Sequence, residues 1–173
     1  MIIASTLQKS FGPQTLFDDV SFLINKGERI GLVGKNGTGK STLFKMIMGE
    51  EKQDSGTLST PKGYKIGALD QHIHFTKPTV IDECIEALPT EKQWDHYKAE
   101  IILSGLGFSE QDFQKDLTTF SGGFQVRINL CKALLADPNM LLLDEPTNYL
   151  DIVSLRWLKD YLNKWPGEMM LIT

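Results

Sequence analysis

Gly34-Lys35-Asn36-Gly37-Thr38-Gly39-Lys40-Ser41 fits the pattern G-x-x-x-x-G-K-[ST] at every fixed position. On its amino side, Arg29-Ile30-Gly31-Leu32-Val33 is a short apolar run that reads as a strand. On its carboxyl side, Lys40 to Met48 places Leu43 and Ile47 on one helical face, and Gly49 stops it. Strand, glycine loop and helix in that order let successive backbone N–H groups turn inward around an anion. The helix N-terminus adds its partial positive charge. Gly34, Asn36, Gly37, Thr38 and Gly39 then form a phosphate cradle. Lys40 can reach the β- and γ-phosphates of a nucleoside triphosphate, Ser41 can ligate Mg²⁺ and Thr42 can bond the α-phosphate. A glycine-rich turn without a ligand has no need of Lys40 and Ser41 at these places. The expected ligand is ATP with Mg²⁺, although the loop alone admits another nucleoside triphosphate.

Working outward, Ile2-Ile3-Ala4 and Leu16–Ile24 read as strands separated by a turn at Gly12-Pro13. Thr57-Leu58 and Lys65–Leu69 add further strands. Thr79 to Leu88 reads as a helix that Thr79 and Asp82 cap and Pro89 closes. Glu91 to Gly105 reads as a second helix, and Ser109 with Asp112 as another cap. Ser121 to Ala136 is a long helix carrying Val126, Leu130, Ala133 and Leu134. Met140 to Leu143 is a continuous apolar strand of the kind buried on both faces. Asp151 opens a helix with Ile152, Leu155, Leu158 and Leu162 on one side, and Met169 to Ile172 is a last strand. Strands alternating with helices predict an α/β fold with a mainly parallel sheet. From about residue 73 to 117 the alternation gives way to helices alone. With the long helix to 136 this stretch reads as a helical subdomain inserted into a single domain spanning 1–173.

The strand Met140–Leu143 ends in Asp144-Glu145. At the carboxyl end of a parallel strand an aspartate lies near the phosphate loop, where it can hold Mg²⁺ through water. Glu145 is then placed to orient or deprotonate an attacking water. Taken alone, two carboxylates at a strand end would be no more than a solvated pair; the phosphate loop is what gives them a task.

Composition is ordinary for a globular domain. Hydrophobic residues make up 41% and charged residues 23%, and 18 basic against 22 acidic side chains leave a formal charge of −4. That balance gives no general pull toward nucleic acid or an anionic membrane. No apolar run approaches the roughly 20 residues that span a bilayer. The N-terminus lacks the basic-then-apolar layout of a secretion signal. Direct membrane insertion is therefore not expected, and a membrane contact would come through a partner. Cys84 and Cys131 read as packed thiols, which suits a cytoplasmic location.

Phe120-Ser121-Gly122-Gly123, at the head of the long helix and shortly before the acidic strand, completes a set of three motifs. In this order they resemble an ATP-binding cassette (ABC) ATPase. The run Asp144-Glu145-Pro146-Thr147-Asn148-Tyr149-Leu150-Asp151 and the stretch Leu23–Lys45 are most similar to the ABC-F subgroup, tandem cassettes that mostly act on the ribosome. The resemblance covers nearly the whole chain. It implies a P-loop NTPase core with an antiparallel β subdomain and an inserted α-helical subdomain. It makes Ser121, Gly122 and Gly123 the signature that contacts the γ-phosphate held by an opposite cassette; Ser121 is equally suited to cap the helix. It makes Gln71 a Mg²⁺-side glutamine, Phe11 the aromatic that stacks on adenine, and Leu150-Asp151 a loop that signals across the dimer. Ser104-Gly105-Leu106-Gly107 is a decoy without paired glycines.

The chain also departs from the pattern. The histidine that follows the last strand in the family has no counterpart, since the sequence stops at Thr173, and the C-terminal elements of the core are missing with it; this suggests a C-terminally truncated domain. His72, His74 and His96 stand in the wrong places to replace it, and His72 with His74 read as exposed loop residues rather than a metal pair. Ile85 to Ala99 is too short for the long helical arm that ABC-F proteins often carry, while Phe124 after the paired glycines suits them. The leading expectation is the first cassette of an ABC-F-like ATPase whose partners are a second cassette, in the same or a tandem chain, and a ribosome or its RNA. The alternatives are the ATP-binding subunit of a membrane transporter, docked on a transmembrane partner, and a nucleotide-binding interaction module without turnover. One cassette alone is expected to bind nucleotide and to hydrolyse it slowly or not at all.

Overall fold

The computed structural model describes residues 1–69 and 75–173. Its chain forms two compact units. The first holds Met1–Ile66, Asn139–Asp144 and Gly167–Thr173; the second holds Gly67–Pro138 and Glu145–Pro166.

The first unit carries β1 (Ile2–Phe11), β2 (Gln14–Ile24), β3 (Arg29–Leu32), α1 (Lys40–Met48), β4 (Ser55–Ser59), the start of β5 (Ile66–Ala68), β6 (Met140–Asp144) and β7 (Glu168–Ile172). β1 is the centre of an antiparallel sheet in the order β2-β1-β4. It runs far beyond the expected Ile2–Ala4 because a register shift follows Ala4 and Thr6 takes a positive φ of 48°. Alternation therefore restarts, with Ile2 and Ala4 buried before the shift and Leu7 and Lys9 after it. Gly56 of β4 is required there, since a Cβ would stand 2.3 Å from the Thr6 carbonyl oxygen. α1 packs Met46 on this sheet, against Ala4, Leu7, Phe17, Val20, Phe22 and Leu58.

The second sheet has the order β3-β7-β6-β5, with β3 and β6 both parallel to β7. Met140, Leu141, Leu142 and Leu143 are all fully buried, as a strand covered on both faces requires. Ile172 of β7 pairs with Leu32 on one side and Asp144 on the other. The carboxyl ends of β3 and β6 are thereby brought level, and the two sequence motifs that follow them leave the same edge of the sheet.

The second unit is helical: α2 (Val80–Glu86), α3 (His96–Gly105), α4 (Gly122–Leu135) and α5 (Ile152–Asn163). Thr79 caps α2, with its hydroxyl accepting from the Asp82 N–H, and Ser109 with Asp112 makes a full capping box on a 3₁₀ turn. Asp151 caps α5 by accepting from the N–H groups of Val153 and Ser154. Ser121 occupies the N-cap position of α4, but its side chain makes no capping hydrogen bond. The expected helix Glu91–Gly105 is shorter: a 3₁₀ turn at Thr90–Lys92, a break, and α3 from His96. The start is charged and its large apolar residue, Trp94, is 91% exposed, so burial does little to extend the helix there. The apolar stripe of α5 is also narrower than expected. Leu158 is buried, Leu155 and Leu162 are half-buried, and Ile152 is exposed.

The buried carboxylate of this unit is paired. Glu83 of α2 is fully buried and accepts from the N–H groups of Thr76 and Lys77, each at 2.8 Å, and from Lys132 of α4. Burial pushes its carboxyl up, but Lys132 and the two amides hold it net below the usual glutamate value. Cys84 and Cys131 are both free and fully buried, as packed thiols. No described helix is long and apolar enough to cross a membrane.

Candidate functional site

The loop between β3 and α1 has the conformation its glycines allow. Gly37 and Gly39 have φ of 83° and 97°, left-handed values that L side chains rarely adopt. A Cβ on Gly39 would also come within 3.0 Å of Phe17 and 3.3 Å of Leu16, so the loop lies directly on β2. α1 opens with the Leu43 N–H donating to the Gly39 carbonyl at 2.8 Å. Thr38 Oγ1 donates to the Lys35 carbonyl at 2.9 Å. Lys40 Nζ curls back over the loop, donating to the carbonyls of Gly34 at 2.6 Å and Lys35 at 3.2 Å. The lysine thus crosses the mouth of the amide cradle, where an anion's charge would fall.

Ser41 Oγ donates to Asp144 Oδ2 at 2.7 Å. These residues are 103 positions apart, and the level ends of β3 and β6 bring them together. A hydroxyl beside a carboxylate is an all-oxygen donor pair, the chemistry that Mg²⁺ selects. Phe11 lies at the end of β1, 49% exposed, with Lys9 Nζ 4.8 Å from its ring centroid. Gln71, together with His72 and His74, lies outside the described residues.

In the helical unit Glu145 has φ of 44°, an uncommon conformation for a glutamate. Its carbonyl accepts from the Asn148 N–H at 3.2 Å, and Asn148 Nδ2 donates to its carboxylate. A strained backbone and a bound carboxylate fix where this acid points. Ser121, Gly122 and Gly123 open α4. Phe124 packs edge-on to Phe108, with ring centroids 5.1 Å apart, and against Phe120 at 5.8 Å.

Arg127 ties these parts together. It donates to the Tyr149 carbonyl at 2.8 Å and the Leu106 carbonyl at 2.9 Å, and pairs with Asp151 at 3.0 Å. Its guanidinium lies 4.7 Å from the Phe124 ring centroid. The N–H of Ser154, and with it Arg127, hold the Asp151 carboxyl down to about 2. Arg127 does not stand out in the sequence, and Asn148 stands there only as part of the run that carries the resemblance, with no role of its own toward Glu145. A cation four residues after Gly123, on a helix face otherwise apolar, was the available signal for Arg127.

Strand, glycine loop and helix, with an aspartate from a parallel strand one strand removed in the same sheet, define a P-loop nucleotide-binding domain. The chain belongs to the ABC transporter family, whose profile matches residues 17–148. It is therefore an ABC-type ATPase domain, as the motifs implied. It is 41% identical to the energy-dependent translational throttle protein EttA of Escherichia coli (strain K12), over 98% of this chain and 31% of that protein. It is 35% identical to the uncharacterized ABC transporter ATP-binding protein YfmM of Bacillus subtilis, over 96% of this chain and 40% of the relative. It is 32% identical to the probable ATP-binding protein YheS of E. coli (strain K12), over 100% of this chain and 32% of the relative. The chain thus spans between 31% and 40% of the length of these curated relatives. Among solved structures, the ATP-binding subunit of an ABC transporter superposes with a TM-score of 0.85 at 22% identity, covering 100% of this chain and 79% of that one. A dimeric ATP-binding cassette in a post-hydrolysis state bound to ADP and Pi gives a TM-score of 0.77 at 21% identity, covering 100% and 88%. Both likenesses bear out the fold class.

Proposed function

We propose that the chain is one ABC ATP-binding domain, spanning residues 1–173 with a helical subdomain at about 73–136, that binds Mg-ATP and hydrolyses it when paired with a second cassette. The observation that carries this reading is the Ser41–Asp144 hydrogen bond at the phosphate loop, which assembles an oxygen site from two distant motifs. The amides of Gly34, Asn36, Gly37, Thr38 and Gly39, the hydroxyl of Thr42 and the ammonium of Lys40 would hold the phosphates, and Phe11 the adenine. Ser41, Asp144 and Gln71 would hold Mg²⁺, which supplies charge neutralisation at the phosphates when bound. Glu145, held by Asn148, orients and deprotonates the attacking water. Ser121, Gly122 and Gly123, at the N-terminus of α4, serve the nucleotide of the opposite cassette.

The larger setting is ABC-F-like: a cytoplasmic tandem-cassette protein that turns closure on ATP into movement on a ribosome or its RNA. The likeness to a protein named as a translational throttle supports this, as does the Glu145-Pro146-Thr147-Asn148 wording. The likeness to an ATP-binding subunit of an ABC transporter favours a second reading, a subunit that energises a transmembrane partner. Co-purification with ribosomes or with a membrane protein separates the two. A third reading, a nucleotide-binding module without turnover, is answered by assaying hydrolysis beside binding.

The direct test is calorimetric titration of Mg-ATP into the protein and its Lys40→Ala variant. Loss of the charge-assisted bonds should weaken binding by about 100-fold or more. Equal affinity would refute the assigned site. In the protein paired with a second cassette, Glu145→Gln should keep binding and stop turnover, and substantial residual turnover would remove Glu145 from the role of base.

A further inference from the structure

Lys9 is 7% exposed, although it lies two residues from half-exposed Phe11 on the same strand. Few lysines are this buried without reason, because removing an ammonium from water is costly. Three oxygens receive it: Glu51 Oε1 at 2.6 Å, the Lys52 carbonyl at 2.8 Å and Asp54 Oδ1 at 3.4 Å. Residues two apart on a strand share a face, and the ammonium stands 4.8 Å from the centroid of the Phe11 ring. The backbone between them is pinned as well. Ser10 N donates to Asp54 Oδ2 at 2.7 Å, and Asp54 N donates to the Gln8 carbonyl at 2.9 Å. Across the hairpin Phe11 pairs with Gln14, whose Nε2 donates to the Gly37 carbonyl of the phosphate loop at 3.3 Å.

We propose that Lys9 is a positioning residue for the nucleobase: its ammonium braces one face of Phe11 so that the other face stands ready for a purine, while Gln14 sets that platform at a fixed distance from the phosphate loop. The proposal rests on Phe11 being the base-stacking aromatic. The physics favours it in two ways. A cation on one face of a ring draws on its π-density, and the opposite face then stacks better on an electron-rich adenine. A ring already held in place also loses little freedom on binding. Glu51 and Asp54 keep the ammonium charged and in position, and the hydrogen bond that Lys9 donates to Glu51 raises the Lys9 pKa above the ordinary lysine value.

A purely structural lysine would tie β1 to residues 51–54 and do nothing for the base. The two roles are separated by titrating Mg-ATP and Mg-tripolyphosphate, which has no base, into the protein and its Lys9→Met, Lys9→Arg and Phe11→Ala variants, with thermal melting alongside. Lys9→Met should weaken Mg-ATP by about five- to tenfold and leave tripolyphosphate unchanged. Lys9→Arg, which keeps the cation over the ring, should recover most of the loss. Lys9→Gln removes the charge but leaves an amide N–H directed at the same acceptors, Glu51 and the Lys52 carbonyl; it carries the same expectation should Lys9→Met fail to fold. Unchanged ATP affinity in Lys9→Met, a parallel fall for both ligands, or no recovery by arginine would overturn the proposal. Should Phe11→Ala leave ATP affinity unchanged while tripolyphosphate still binds, the base-stacking reading falls first and takes this proposal with it.

Discussion

The two units position their functional residues by different means. In the first, the backbone does the work. Positive φ at Gly37 and Gly39 shapes the loop, and parallel pairing with β7 brings β3 and β6 level. The side chains at the phosphate loop then bond to the loop's own carbonyls or to each other, as Lys40 does with Gly34 and Ser41 with Asp144. In the helical unit, side chains do the work. Arg127 joins the Phe124 ring, two carbonyls and Asp151, and Glu83 joins Lys132 to two amides. A site built from backbone should lose its ligand without losing its fold. A site built from a side-chain network should lose both together.

The largest expected effect falls on the strand that sets the level. Leu142 is fully buried in β6, so Leu142→Ala should cost about 2–5 kcal/mol in chemical denaturation. Nucleotide binding should fall only in proportion to the unfolded fraction. A loss of binding in the folded protein would show that strand packing also tunes the loop. Next comes Arg127→Ala. It strands the carbonyls of Tyr149 and Leu106, at a cost of about 2 kcal/mol for the pair. Local hydrogen exchange should rise at the start of α4 and around Tyr149–Asp151. If exchange rises at only one of the two, Arg127 is not the link between them.

Smaller again is Ser41→Ala. Its hydrogen bond to Asp144 is half-buried and contributes about 1 kcal/mol or less to stability. The same change should remove most of the Mg²⁺ dependence of ATP affinity. A large drop in stability with Mg²⁺ dependence intact would invert the contrast between the units.

The same contrast explains what could be read in advance. Gly34 to Ser41 and Met140 to Asp144 were legible because backbone-built features demand particular residues at short spacing: glycine where φ is positive, and unbroken apolar residues where a strand is covered twice. β1 was cut short because Thr6 resets the alternation, and a β-branched residue at positive φ has no sequence signature. Arg127 was passed over because its partners lie 22 and 24 residues away, and two of its acceptors are carbonyls that any residue provides. Lys9 was hidden likewise, since its carboxylate partners are more than 40 positions distant.

The smallest effect is acidification, and it tests the side-chain-built unit. Lys115 and Ser109 hold the Asp112 carboxyl down to about 2, and Ser154 with Arg127 does the same for Asp151, against an ordinary value of 3.8. A depressed carboxyl binds fewer protons folded than unfolded between those values, so stability rises with pH across the window. The contribution is fully present above about pH 4 and is lost as pH falls toward 2. Both carboxylates are solvent-accessible and screened by salt, so the slope should shrink at high ionic strength. Asp112→Asn and Asp151→Asn should each flatten it; asparagine at 151 still caps α5, and at 112 its amide oxygen can still accept from the Ser109 N–H, so the fold at neutral pH should survive. The measurement is denaturation midpoint against pH from 5 to 2. If the wild-type slope survives the double variant and also Glu83→Gln, Glu86→Gln and Asp116→Asn, the other carboxylates of this unit held below their usual values, acid sensitivity comes instead from the first unit, where Asp54 and Glu51 are held down as well. The difference between backbone-built and side-chain-built units would then fail on its electrostatic side.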